Sequence, residues 1–371
     1  MLLERVALSN FRNYAALELE LAPGLNVFIG ANAQGKSNLL EAIAMLGTGK
    51  SFRTSRDGDV IASGAEEAVV RGSATLRAGT VGVACSIARG GRGTRKRYTL
   101  NGRDVRYASF LGKLRVVTFV PSDLQLASGA ASVRRTFLNT ALSQDEPGYY
   151  RELARYRKTL AQKNALLRAG EPFDEELLEV YDRTLVEAGT ELVLARDRFI
   201  RSVSSAATAA HCRFTGGVER LEVVYEPDVT FAHAATDAIA AALSSRLRAV
   251  SAKERLRKFA LAGPHRDDVR LMLDGAPLAT YGSQGQQRTA VLALKVAEYS
   301  VMQERATEAP LLLLDDVLSE LDPARAQAFL LSVGDYEQAF VTATHSPEGL
   351  TWSAASYAVV AAQVRARERA C

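Results

Sequence analysis

The stretch GANAQGKS, Gly30 to Ser37, sets two glycines five positions apart and follows the second with a lysine and a hydroxyl residue. A loop of this pattern, GxxxxGK[ST], turns backbone N–H groups inward around phosphates when a strand precedes it and a helix follows. Both flanks fit. LNVFIG before it is a short apolar run, and SNLLEAIAML after it carries apolar residues at helical spacing. Gly30, Ala31, Asn32, Ala33, Gln34, Gly35, Lys36, Ser37 and Asn38 are therefore candidate nucleotide-binding residues. Lys36 is expected to reach the β- and γ-phosphates and Ser37 to ligate Mg²⁺. Such a loop needs a carboxylate at the end of a buried strand opposite it. LLLLDD, Leu311 to Asp316, offers Asp315 to orient the Mg²⁺ shell and Asp316 to polarise an attacking water. A third element, YGSQGQQR, opens a helix with Ser283, Gln284, Gly285 and Gln286, a polar run suited to an anion at a helix N-terminus.

The order along the chain is glycine loop, helical insert, SQGQQ, LLLLDD, then SELD (Ser319 to Asp322), then a strand ending in TATHS with His345. This order resembles the ATPase head of the ABC superfamily. The resemblance makes SQGQQ the signature motif, SELD the D-loop and His345 the switch histidine. It implies ATP with Mg²⁺ and a head-to-tail homodimer in which Ser283 and Gly285 reach the γ-phosphate bound by the partner. The opening, LERVALSNFRNYAALELEL, is similar to the SMC-like branch, and GKSFRTSRDGD, SVRRTFLN and GPHRDD resemble the RecF family. The insert agrees: 160 residues separate Asp123 from Ser283, room for a short helical arm rather than an SMC coiled coil. The RecF resemblance implies DNA binding with RecO and RecR as partners, and help in loading RecA onto gapped DNA. Two positions depart from the ABC pattern. Asp316 stands where many heads carry Glu, one methylene longer, which implies slow hydrolysis used for timing, a weak DNA-stimulated ATPase. No Gln directly follows the strand before the insert, and either Asp123 or Gln125 in FVPSDLQ takes that place.

Several elements must position these groups. Leu2 to Leu8 and Ala16 to Leu21 alternate as strands do, Val60 to Phe119 is β-rich, and Asn101-Gly102 marks a hairpin. From Asp123 to Ala210 the chain is helix-forming, with one apolar stripe through Leu153, Tyr156, Leu160 and Leu167 and another through Leu178, Tyr181, Leu185, Leu192 and Phe199. Gly170 and Pro172 separate the two stripes, as in an antiparallel helical hairpin. The fold class is α/β: an ABC/SMC-type P-loop ATPase head with a mainly helical second domain forming a short arm. Residues 1–122 with 306–371 are expected to form the core, and 123–305 the helical lobe with the signature motif.

Composition is that of an ordinary globular protein, with 47% hydrophobic and 24% charged residues. No apolar run approaches the ~18 residues of a membrane helix, and charges interrupt the first apolar stretch, so neither a signal peptide nor a membrane partner is expected and the setting is cytoplasmic. The cysteines Cys85, Cys212 and Cys371 have no metal or disulfide spacing. The net charge of +4 permits a polyanionic partner. Candidate DNA contacts are Arg53 and Arg56 after the glycine-loop helix, Arg92, Arg95, Lys96, Arg97, Arg103 and Arg106 on the predicted hairpin, and Arg134 and Arg135 at the start of the helical region. Alternation places Arg95 and Arg97 on one face and Lys96 on the other. A transporter subunit and a P-loop kinase are the alternatives; the short arm argues against the first, and the signature motif and D-loop against the second.

Overall fold

The computed structural model describes residues 1–91, 93–169, 174–317, 329, 333, 336–345 and 354–367. In chain order its elements are β1 (Leu2–Phe11), β2 (Tyr14–Glu20), β3 (Gly24–Ile29), α1 (Lys36–Thr48), β4 (Glu67–Leu76), β5 (Gly79–Gly90), β6 (Gly93–Leu100), β7 (Arg103–Val105), α2 (Tyr107–Phe110) and β8 (Val116–Phe119). There follow α3 (Gln125–Ser128), α4 (Ala131–Asp145), α5 (Pro147–Ala169), α6 (Glu175–Thr215), β9 (Leu221–Glu226), α7 (Thr236–Arg257), β10 (Asp268–Leu273), β11 (Ala276–Pro277), α8 (Leu278–Tyr281) and α9 (Gln284–Arg305). The chain closes with β12 (Leu311–Asp315), β13 (Gln338–Ala343), β14 (Ala354–Val360) and β15 (Gln363–Ala366). The chain divides into two compact units, Met1–Asp123 with Lys295–Cys371, and Leu124–Leu294. The second boundary falls inside α9 rather than at residue 305, because from Lys295 the helix packs on the first unit; the Lys295 ammonium lies 5.8 Å from the centre of the Phe119 ring.

The first unit has two six-stranded sheets. One is antiparallel, in the order β2-β1-β4-β5-β6-β7. The other runs β15-β14-β3-β13-β12-β8 and is parallel except for β15. Helix α1 lies between them, and its Leu39, Leu40, Ile43 and Leu46 join one core with Leu3, Val6 and Val70 of the first sheet and Leu313 and Phe340 of the second. Burial on both faces explains why LNVFI and LLLLD read as continuous apolar runs. The Asn101-Gly102 hairpin forms as expected, with positive φ at both residues (49° and 75°).

In the second unit α5 and α6 form an antiparallel pair, tied by Arg155 to Glu187 and by the buried Lys163 to Asp182 (2.6 Å), and Lys163 also ties α5 to Glu254 of α7 (2.7 Å). A small sheet, β11-β10-β9, lies with them. Helix α7, whose buried Ile239, Leu243, Leu247 and Val250 recur at helical spacing, is not among the elements expected from the sequence. Two of the RecF-like stretches meet here. Arg196 of α6, only 2% exposed, donates to Asn139 (3.0 Å), Tyr149 (3.0 Å), the Pro264 carbonyl (2.6 Å) and Asp267 (2.7 Å). Asn139 belongs to SVRRTFLN, and Pro264 and Asp267 to GPHRDD. Cys85 and Cys212 are free thiols, with Cys85 buried. Among the described residues no helix is long and apolar enough to cross a membrane.

Candidate functional site

The parallel sheet gathers the candidate residues of the first unit at one edge. Its register pairs Ile29 with Ala343, Asp315 with Thr342, and Leu314 with Phe119, so the loops after β3, β13, β12 and β8 all leave from the C-terminal ends of adjacent strands. That edge is where open α/β sheets bind ligands. From it emerge the glycine loop, Thr342 to His345, Asp315 with Asp316, and Asp123.

The glycine loop is shaped by close approach. A Cβ on Gly30 would lie 2.2 Å from the Val359 carbonyl oxygen, and one on Gly35, at φ 114°, would lie 2.9 Å from the Tyr14 hydroxyl. Neither position accepts a side chain, so the backbone itself forms the wall of the cradle. No side chain caps the N-terminus of α1 and no acidic residue sits in its first turn, leaving the dipole to face an anion. Lys36, 6% exposed, curls over the loop and donates to the carbonyls of Gly30 (2.6 Å) and Ala31 (2.9 Å). The Ser37 hydroxyl lies near enough to the Asp315 carboxylate to lower its pKa. Burial raises the Asp315 pKa above the ordinary carboxylate value, and Ser37 and Thr342 hold it down in part.

Thr342, which sequence reasoning passed over, joins the candidate site. Its hydroxyl donates to Asp315 (2.9 Å) and accepts from the Asp316 backbone N–H (2.9 Å). The signal was available, since a strand-ending hydroxyl stands in TATHS, but only the register places it between the two carboxylates. Asp316 takes a left-handed backbone, φ 55°, half-buried beyond the strand end. His345 is exposed, and its Nδ1 shares a 3.0 Å hydrogen bond with Thr344. SELD lies outside the described residues.

A second layer holds the loop. Glu41 of α1, fully buried, accepts two bonds from Arg12 (2.6 and 2.8 Å) and one from Ser51. This clasp explains NFRNY and GKSFRTSRDGD, which meet on α1. Two expected nucleotide contacts are committed here instead. The Gln34 side chain accepts from Ala361 N (2.7 Å), in the turn between β14 and β15, and Asn38 bonds Asn13 (2.7 Å) and Arg53 (2.5 Å). Asp123 accepts from Val120 N (2.9 Å). Burial raises its pKa, against the pull of Lys295. Gln125 is exposed at the start of α3.

In the second unit, Ser283 and Gln286 form a reciprocal capping box at the start of α9: Ser283 N donates to the Gln286 side chain (2.8 Å) and Gln286 N to Ser283 Oγ (3.2 Å). Ser283 and Gln284 are exposed, Gly285 is half-buried, and no acidic residue sits in the first turn.

Three of the basic candidates need correction. Lys96 points inward and binds the Gly49 carbonyl (2.9 Å) and Asp57 (2.5 Å). Arg134 forms a two-pronged pair with Asp268 (2.7 and 2.8 Å), and Arg135 donates to the Asp267 carbonyl (2.8 Å). Their charges hold the fold. Arg53, Arg56, Arg95, Arg97, Arg103 and Arg106 are exposed, although Arg97 pairs with Asp104 (2.6 Å). Arg92 lies outside the described residues.

This is the nucleotide-site geometry of a P-loop head in the SMC-like branch of the ABC-type ATPases. The profile of the RecF/RecN/SMC N terminal domain family matches residues 2–366. The "DNA replication and repair protein RecF" of Symbiobacterium thermophilum is 44% identical over 93% of this chain and 92% of its own length. The protein of the same name from Listeria welshimeri is 39% identical over 93% of each. Among solved structures, "the recombination mediator protein RecF-ATP in RecFOR pathway" superimposes with a TM-score of 0.90 at 31% identity, covering 99% of this chain and 98% of that one. An Smc head domain from Pyrococcus furiosus gives 0.57 at 16% identity, a likeness of fold. The chain belongs to the RecF family.

Proposed function

We propose that the protein is an ATP-gated DNA-binding dimer acting in recombinational gap repair and replication-fork maintenance. The observation that carries this reading is a loop too close-packed to admit side chains at Gly30 and Gly35, set at the same sheet edge as Asp315. The site fits ATP with Mg²⁺: a hydroxyl and a carboxylate are hard oxygen donors, and Mg²⁺ in such sites takes few protein ligands. When bound, Mg²⁺ neutralises charge on the phosphates.

Lys36 turns its ammonium from the loop carbonyls toward the phosphates. Asp316 accepts a proton from, or orients, the attacking water, and His345 acts as the switch histidine. Gln125, exposed, takes the sensing place in preference to Asp123, whose carboxylate is spent on a backbone N–H. Ser283 and Gly285 face the γ-phosphate of a second copy, so ATP joins two chains and slow hydrolysis releases them. The relatives' names and the RecFOR description of a 31% identical structure support a role with RecO and RecR at gapped DNA, where RecA is loaded.

Sedimentation with and without ATP-Mg²⁺, adding duplex, single-stranded and gapped DNA in turn, tests the reading. An ATP-dependent dimer that holds DNA more tightly is expected. A monomer in ATP that ignores DNA would overturn it.

A further inference from the structure

The long helix α6 ends at Thr215, where Gly216 takes a left-handed conformation (φ 64°) and donates to the Cys212 carbonyl. Three residues further on stands Glu219. Its neighbour Arg220 is locked on both backbone groups: Arg220 N donates to Asp274 Oδ1 (2.8 Å), and Asp274 N donates to the Arg220 carbonyl (3.0 Å). On its other side the helix end supplies His211, wholly buried, with Nε2 3.8 Å from Glu219 Oε2 and neither ring nitrogen hydrogen-bonded. The Glu219 carboxylate is thus held between a closed helix end and a pinned strand. It spends one oxygen on Gln286 Nε2, accepting at 2.9 Å. The other end of that same amide accepts from Ser283 N at 2.8 Å.

We propose that Glu219 is a positioning residue for the Ser283–Gln286 turn, tying the closed end of α6 to the anion-facing start of α9. A Gln amide rotates freely unless both of its ends are engaged. Glu219 selects the rotamer in which the carbonyl oxygen faces Ser283 N, and with it the orientation of the Ser283 hydroxyl and the first N–H groups of α9. The segment that follows α6 therefore reaches the turn through one carboxylate and one amide. The inference rests on the reading that this turn engages ATP held by a second copy.

Four variants of the full chain test it, each measured for ATP affinity of the monomer, ATP-dependent dimer affinity by sedimentation, and thermal midpoint. Glu219→Ala is expected to weaken the ATP-dependent dimer roughly tenfold, the scale of a lost hydrogen bond to a charged acceptor. Monomer ATP affinity stays unchanged, a split that a general loss of stability would not produce. Gln286→Glu sets two carboxylates against each other and is expected to weaken the dimer as well. Adding Glu219→Gln to it restores the parent affinity, because the new amide donates to the new carboxylate while Ser283 N keeps its acceptor. A parent-like dimer in Glu219→Ala, or no rescue by the double exchange, would overturn the role of Glu219. Ser283→Arg separates the two readings. If it dimerises normally in ATP, the signature reading itself falls and this inference with it. If it blocks dimerisation while Glu219→Ala does not, only Glu219 is discarded.

Discussion

At the scale of the residue, Thr342 decides how the two carboxylates of LLLLDD differ. Its hydroxyl gives Asp315 one of the hydrogen bonds that resist the effect of burial, and takes the N–H of Asp316, holding that residue in its left-handed turn. Thr342→Val removes both bonds at constant shape. The Asp315 pKa, already raised by burial, then rises further. In the proposed role Mg²⁺ would need the deprotonated Asp315 carboxylate, so affinity for ATP-Mg²⁺ would be lost as pH falls through that pKa, and the variant is expected to lose it at higher pH than the parent. Titration calorimetry across the acid range reads this directly. Superimposable acid limbs would show that Thr342 does not support the site. Loss of the bond to the Asp316 N–H is expected to cost about 1 kcal/mol of stability.

At the scale of the element, the turn GPHRDD and the helix that carries SVRRTFLN are one charged assembly in the second unit. Arg134 and Arg135 looked like DNA contacts because a basic pair opening a helix is usually solvated. Their partners, Asp268 and the Asp267 carbonyl, stand over 130 residues away and no local pattern reveals them. Within the same turn the Tyr156 hydroxyl and His265 Nδ1 share a 2.7 Å hydrogen bond, while His265 Nε2 is buried without a partner. Burial lowers the His265 pKa from 6.5 to about 4. A histidine held neutral in the fold but free to protonate when unfolded contributes stability above its unfolded pKa, and that stability is lost as pH falls from 6.5 toward 4. The span corresponds to about 3 kcal/mol. Urea unfolding of the parent is expected to weaken across this window, with His211, whose pKa burial also lowers, adding in the same direction. His265→Gln should flatten the greater part of the slope. An unchanged slope in the variant would assign the acid sensitivity to other groups.

At the scale of the whole molecule, a net charge of +4 is modest, and DNA binding must come from where the cations stand. Arg95 and Arg97 share the outer face of β6, and Arg106 is exposed beyond β7, whereas Lys96 is half-buried against Gly49 and Asp57. Removing one cation that pairs with a phosphate lowers the slope of log affinity against log salt by about 0.9 on duplex DNA. Arg95→Ala with Arg106→Ala is therefore expected to reduce the slope by nearly two, with thermal stability unchanged. Lys96→Ala and Arg134→Ala should lower stability and leave the slope intact. The opposite pattern would move the DNA surface elsewhere.

The local motifs were legible because their chemistry is local. A strand, a glycine loop and a helix place Lys36 and Ser37 within eight residues, and an apolar strand carries Asp315 to its own end. The α5–α6 pair was legible for the same reason, since helical periodicity records which face is buried. Tertiary structure alone decided the rest. Strand register set Thr342 between Asp315 and Asp316, the turn after β14 claimed Gln34, and Glu219 reached Gln286, 67 positions further along the chain. Partners so distant in the chain leave no periodic trace, and a polar side chain looks the same in sequence whether it meets solvent, a ligand or a buried amide.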